Sequence, residues 1–133
     1  MSGVYGAARE KFLCGDLSWR DGTVKAVLVT AAYVPDFEAD EFLSDIALAA
    51  RVSVSNELED KTTTGGWASA PQIVWEAVNG AQCVGIVFVD DTGDAATTSL
   101  MAYLSENVTN LPLTPNGAKV TFLTDSDTGL FRL

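Results

Sequence analysis

Histidine is absent from the 133-residue sequence, which removes the commonest general base and the usual zinc ligand. Basic residues are few: 8 Lys and Arg stand against 18 Asp and Glu, for a formal charge of -10. Nucleic-acid affinity comes largely from Lys and Arg displacing counterions, so direct nucleic-acid binding is not expected. Cysteine occurs only at Cys14 and Cys83, without metal-type spacing. Both read as reduced thiols of a protein made in a cytosol, Cys83 as a small hydrophobe inside an apolar run. No apolar run approaches the roughly 20 residues needed to span a bilayer, and the N-terminus lacks the basic-then-apolar pattern of a secretion signal. A membrane partner is therefore not expected. Neither a Gly-x-Ser-x-Gly turn nor a phosphate-cradling glycine pattern occurs, so the expectation is a chain without cofactor or metal that is not an enzyme.

What is present is enough apolar material to fold. Hydrophobic residues make up 47% of the chain and charged residues 20%, so burial can offset ordering entropy. A chain of this length fits one domain that buries roughly two thirds of the surface its unfolded form exposes. Acidic charge on such a domain is a solubility device, and it keeps copies from sticking to one another or to DNA. No internal repeat, low-complexity tract or long linker divides the chain.

The apolar pattern is mainly that of short strands. Val24-Lys25-Ala26-Val27-Leu28-Val29-Thr30 is dense in β-branched residues and follows an Asp21-Gly22 turn. Further strands are expected over 50–57, 61–69, 72–78, 81–89, 99–105, 118–124 and 130–132. Asn79-Gly80 is a tight hairpin signal, because a type I′ turn needs positive φ that Asn and Gly tolerate. Phe42, Leu43 and Ile46 lie at helical intervals behind a cluster of acids, which predicts one short helix over 38–46. Ala8, Phe12 and Leu13 share that spacing and Gly15 suits a helix stop, so residues 1–20 read as either a short helix or an extended arm. Closely spaced strands without interleaved helices place 21–133 in a mainly β domain, an antiparallel β-sandwich or jelly roll carrying an N-terminal extension and one short helix.

Several residues invite a functional reading. Asp90, Asp91 and Asp94 are carboxylates that could serve chemistry, but in an Asp-Thr-Gly-Asp loop they read as turn formers. Asp125-Ser126-Asp127 resembles the start of a calcium loop, yet no Glu follows it in the sequence, so a polar turn is the simpler reading. Asn107-Val108-Thr109 matches a glycosylation sequon, which matters only in a secreted chain. Trp75 and Phe122 fall in alternating strands and read as core. Trp67 follows a polar Thr-Thr-Thr-Gly-Gly stretch and reads as partly exposed at a partner contact. Tyr5, Arg9, Lys11 and Phe12 bring aromatic and basic character to an otherwise acidic chain; they either contact a partner or pack on their own domain.

An ordered series of segments adds a resemblance. Lys11-Phe12-Leu13, the 24–30 strand, Tyr33-x-Pro35-Asp36 and Glu41-Phe42-Leu43-Ser44-Asp45-Ile46 come first. Asp90-Asp91-Thr92-Gly93-Asp94, Leu100-Met101-Ala102-Tyr103, Pro115-Asn116-Gly117 and Gly129-Leu130-Phe131 follow. In this order the chain resembles small structural proteins of tailed bacteriophages, and most nearly jelly-roll cement or decoration proteins of the head shell. The resemblance implies a virion protein on the outer surface of the phage head, with the major capsid protein and further copies of itself, as a dimer or trimer, for partners. It brings no catalytic residues. Two other expectations stand beside it: a tail or fibre component whose 92–99 loop meets sugars or another tail protein, and a carboxylate-dependent enzyme or sugar-binding β-sandwich module.

Overall fold

Three apolar segments form the centre of the molecule: β2 (Val24–Val29), β6 (Gly85–Asp90) and β7 (Ser99–Leu104). The computed structural model describes residues 3–105, 111–123 and 130–132. Within them, β1 (Gly3–Val4) and β3 (Arg51–Val54) complete a five-stranded antiparallel sheet in the order β1-β7-β6-β2-β3. Two two-stranded ribbons accompany it. One pairs β4 (Trp67–Ala68) with β9 (Phe131–Arg132), the other β5 (Gln72–Trp75) with β8 (Val120–Leu123). The protein is thus a mainly β, antiparallel, sandwich-like fold, with one α-helix among the described residues, α1 (Gly6–Cys14).

The central strands are apolar without alternation because both faces of the sheet are covered. Phe88 packs edge-on to Trp19 and tilted to Phe131, with ring centroids 5.8 and 5.9 Å away. Its chain neighbour Val87 points the other way and stands opposite Tyr103. On that second face Tyr103 meets Tyr33 and Phe37. Gly85 lies on the same face, and a Cβ there would come within 2.5 Å of the Tyr103 ring. Only glycine lets the tyrosine lie flat against β6.

The ribbons are tied to the sheet by tryptophan. Trp75 is fully buried, stacks edge-on against Phe122 at 5.2 Å, and donates its indole N–H to the Ala26 carbonyl at 3.0 Å. Trp19 donates to the Ser69 carbonyl at 3.1 Å. Each ring therefore buries apolar area and satisfies its donor across the layers.

Residues 3–20 are built into the domain. Gly3 and Val4 pair with β7, and Tyr5, Ala8, Leu17 and Trp19 are core residues. The helix stops at Gly15, whose φ of 80° is the left-handed conformation that a helix C-terminus favours.

Three sequence expectations need correction. The helix over 38–46 is instead loop ending in a single 3-10 turn (Leu43–Asp45). The N–H groups a helix would use are engaged elsewhere, Leu43 donating to the Thr98 carbonyl and Ser44 to that of Ala95. The 61–69 strand is a tight reversal, since Thr62 and Ser69 exchange backbone bonds around a turn in which Gly65 and Gly66 take φ of 68° and 81°. Asn79-Gly80 turns the chain but joins no hairpin, because β5 pairs with β8 while β6 pairs with β2 and β7.

Candidate functional site

The 33–36, 41–46 and 100–103 segments of the ordered series form one seam along β7. Tyr5 and Tyr33 share a hydrogen bond between their hydroxyls at 2.6 Å, and Tyr33 donates onward to Asp40 at 2.8 Å. Burial pushes both phenols above their ordinary pKa. Asp40 also accepts from the Asp36 N–H, while Asp36 accepts from the Glu38 and Ala39 N–H groups. Phe42 bridges to Ser99, and Leu100 donates its N–H to the Glu41 carbonyl. Asp45 accepts from the backbone N–H of Glu41 and of Phe42, which lowers its carboxyl below the usual range. The seam locks the 33–46 loop along β7 and against α1.

Lys11 sits at its Ser99 end. Its ammonium lies 2.9 Å from Glu41, 2.9 Å from the Ser99 hydroxyl and 4.3 Å from the centre of the Phe42 ring. Of the residues expected at a partner contact, Lys11 is thus engaged inside the domain and Tyr5 is wholly buried. Tyr5 has no surface to offer because its ring fills the space beside Phe37. Phe12 is half-buried against the core, whereas Arg9 is exposed on the outer face of α1. Trp67 is 38% exposed on the β4 ribbon, well away in sequence from the others. The structure does not gather these five into one patch.

The acids of the 90–98 loop hold the chain in place. Asp90 accepts from the Thr23 N–H, Asp91 from the Gly93 N–H, and Asp94 from the Ala96 N–H. Asp91 also meets Lys25 at 2.7 Å. That contact, followed by the Gly93 N–H, draws its carboxyl below the usual range. Thr92, Thr97 and Thr98 complete the loop with hydroxyl bonds among themselves and to the Asp94 carbonyl.

A second acidic stretch, Glu57-Leu58-Glu59-Asp60, lines two adjoining open depressions with Gln72 on one side and Arg20 and Lys61 on the other. Lys61 donates to the Gly22 carbonyl, and burial lowers its pKa. Among the described residues no three His, Cys, Asp or Glu side chains are placed to hold a metal ion, and no helix is long and apolar enough to cross a membrane. Asp125-Ser126-Asp127 and the Asn107 sequon lie outside the described residues.

Sequence reading missed the exposed apolar residues at strand and helix ends. Leu123 on β8 is 81% exposed and Leu13 on α1 is 89% exposed. A signal for the first was present: 107–124 contains no Asp or Glu, in a chain otherwise rich in both, and Lys119 is its sole charged residue. The chain matches no protein-family model and no curated protein.

Proposed function

We propose that this chain is a non-enzymatic structural protein of a tailed-phage particle, a decoration subunit that binds the major capsid protein on the outer surface of the head and stabilises the shell. The observation that carries this reading is the seam just described. Tyr33, Asp36, Glu41, Phe42, Leu43, Ser44, Leu100 and Tyr103 are scattered in sequence, belong to the segments that resemble phage structural proteins, and line one seam along β7. Their spacing is therefore a spacing of fold contacts, and a likeness carried by such residues is a likeness of architecture.

A rigid subunit of this kind would act by attachment. Many copies seated on a lattice of identical shell subunits give avidity without strong single contacts. The charge of -10 limits non-specific association and keeps the subunit away from packaged nucleic acid. The lock around Lys11 and the aromatic ties between layers make the subunit stiff enough to transmit strain between neighbouring shell proteins.

The test is quantitative mass spectrometry of heads and tails separated from purified particles of the phage that encodes the chain. The expected result is a fixed stoichiometry with the major capsid protein in the head fraction. Recovery only with tails, or absence from the particle, overturns the reading.

A further inference from the structure

We propose that β8 is the strand through which two copies of this chain pair, antiparallel across a two-fold axis, joining their β5–β8 ribbons into one four-stranded sheet. Among the described residues β8 pairs with β5 alone, so within them its other edge has no strand partner. Natural edges are usually blunted by bulges, charges or cover. The edge strand β3 has such devices: a register shift in its pairing with β2, and Val52 lying 3.6 Å from where a Cβ on Gly80 would stand. Just beyond it, Asn56 donates its N–H to the Val74 carbonyl. Along β8 the register is regular and Val120-Thr121-Phe122-Leu123 carries no charge.

The side chains name the occupant. Phe122 faces the core, so Thr121 and Leu123 point outward, joined on that face by Lys119 just before the strand. In an antiparallel pair centred on Thr121, Thr121 meets Thr121 of the second copy and each Leu123 meets the other copy's Lys119. Threonine pairs are favourable cross-strand neighbours, and a lysine stem covers leucine while its ammonium stays in water. The outward triplet is therefore complementary to itself. Electrostatics allows the same place, because residues 119–123 include no acid and Lys119 offsets the neighbouring Glu76, 4.0 Å away. A lone two-stranded ribbon is marginal, whereas four strands over an apolar face are not.

This deepens the structural reading above by naming a second copy as a partner, and its test uses the isolated chain with no shell, so the two can fail separately. Sedimentation velocity of the purified protein over a concentration series is expected to show a monomer–dimer equilibrium. Leu123→Lys sets lysine against Lys119 of the partner copy and loses the buried leucine, weakening association by about a hundredfold. Adding Lys119→Glu to Leu123→Lys restores it, while circular dichroism, and the melting temperature at concentrations where the parent is monomeric, stay those of the parent in each variant. A chain that is monomeric throughout, a dimer indifferent to Leu123→Lys, or a double variant that stays dissociated overturns the proposal.

Discussion

The central sheet and the β5–β8 ribbon are built from the same residue types and are stabilised differently. In β2, β6 and β7 every strand has two partners, and both faces are covered. Among the described residues the ribbon has one strand pairing and one buried face, and Ile73, Trp75 and Phe122 with the Asn56–Val74 bond connect it to the rest. A sheet interior spreads its stability over many contacts, whereas a ribbon depends on its anchor. The first should unfold only with the whole domain, and the second should open at lower free energy.

The largest effect that can break this contrast is Trp75→Ala. It removes a fully buried ring and the bond to the Ala26 carbonyl, at a cost of about 4 kcal/mol in urea unfolding. Hydrogen exchange sharpens the test. Amides of β5 and β8 should lose protection well before those of β6, and equal loss in both regions would show that the ribbon and the sheet are one cooperative unit.

A smaller effect probes the sheet itself. Gly85→Ala puts a methyl within 2.5 Å of the Tyr103 ring and is expected to cost about 2 kcal/mol through overpacking. Gly93→Ala meets nothing within 4 Å and has only its φ of 86° against it, for about 1 kcal/mol. If thermal melts rank the two the other way, crowding between Tyr103 and β6 is not what fixes that glycine.

The same contrast governs what could be read from the sequence. The runs at 24–29, 85–90 and 99–104 were legible because strands buried on both faces are apolar at nearly every position. The β5–β8 pairing was not. Its partners lie far apart in sequence, while Asn79-Gly80 supplied a local hairpin signal that long-range pairing overrides. The failure of the 38–46 helix has the same origin, because the competing bonds to Ala95 and Thr98 come from a distant loop. At the candidate site, the turn role of Asp91 and Asp94 followed from local chemistry, whereas Asp90 ends β6 and binds the distant Thr23 N–H. The burial of Tyr5 did not, since nothing near it in sequence announces Phe37, Tyr33 or Asp40.

The smallest predicted effect separates the rim of the sheet from that of the ribbon. Asp91, following β6, is held by Lys25 of β2 at 2.7 Å, and its carboxyl titrates below the ordinary range. A depressed folded pKa means that the stabilisation is fully present above the unfolded value of about 3.9 and is lost as pH falls through the folded one. Asp45 acts in the same direction through the Glu41 and Phe42 N–H groups. Stability should therefore decline on acidification below about pH 4, and Asp91→Asn should flatten that decline while costing less than about 1 kcal/mol at neutral pH. The ribbon's ion pair, Lys119 with Glu76, is 4.0 Å long and more than half exposed on both sides. Glu76→Gln should leave urea unfolding at neutral pH unchanged, because a loose pair in water returns little more than the entropy lost in forming it. An Asp91→Asn variant with the parent's full acid decline would mean that Lys25 and Asp91 do not close the end of the sheet.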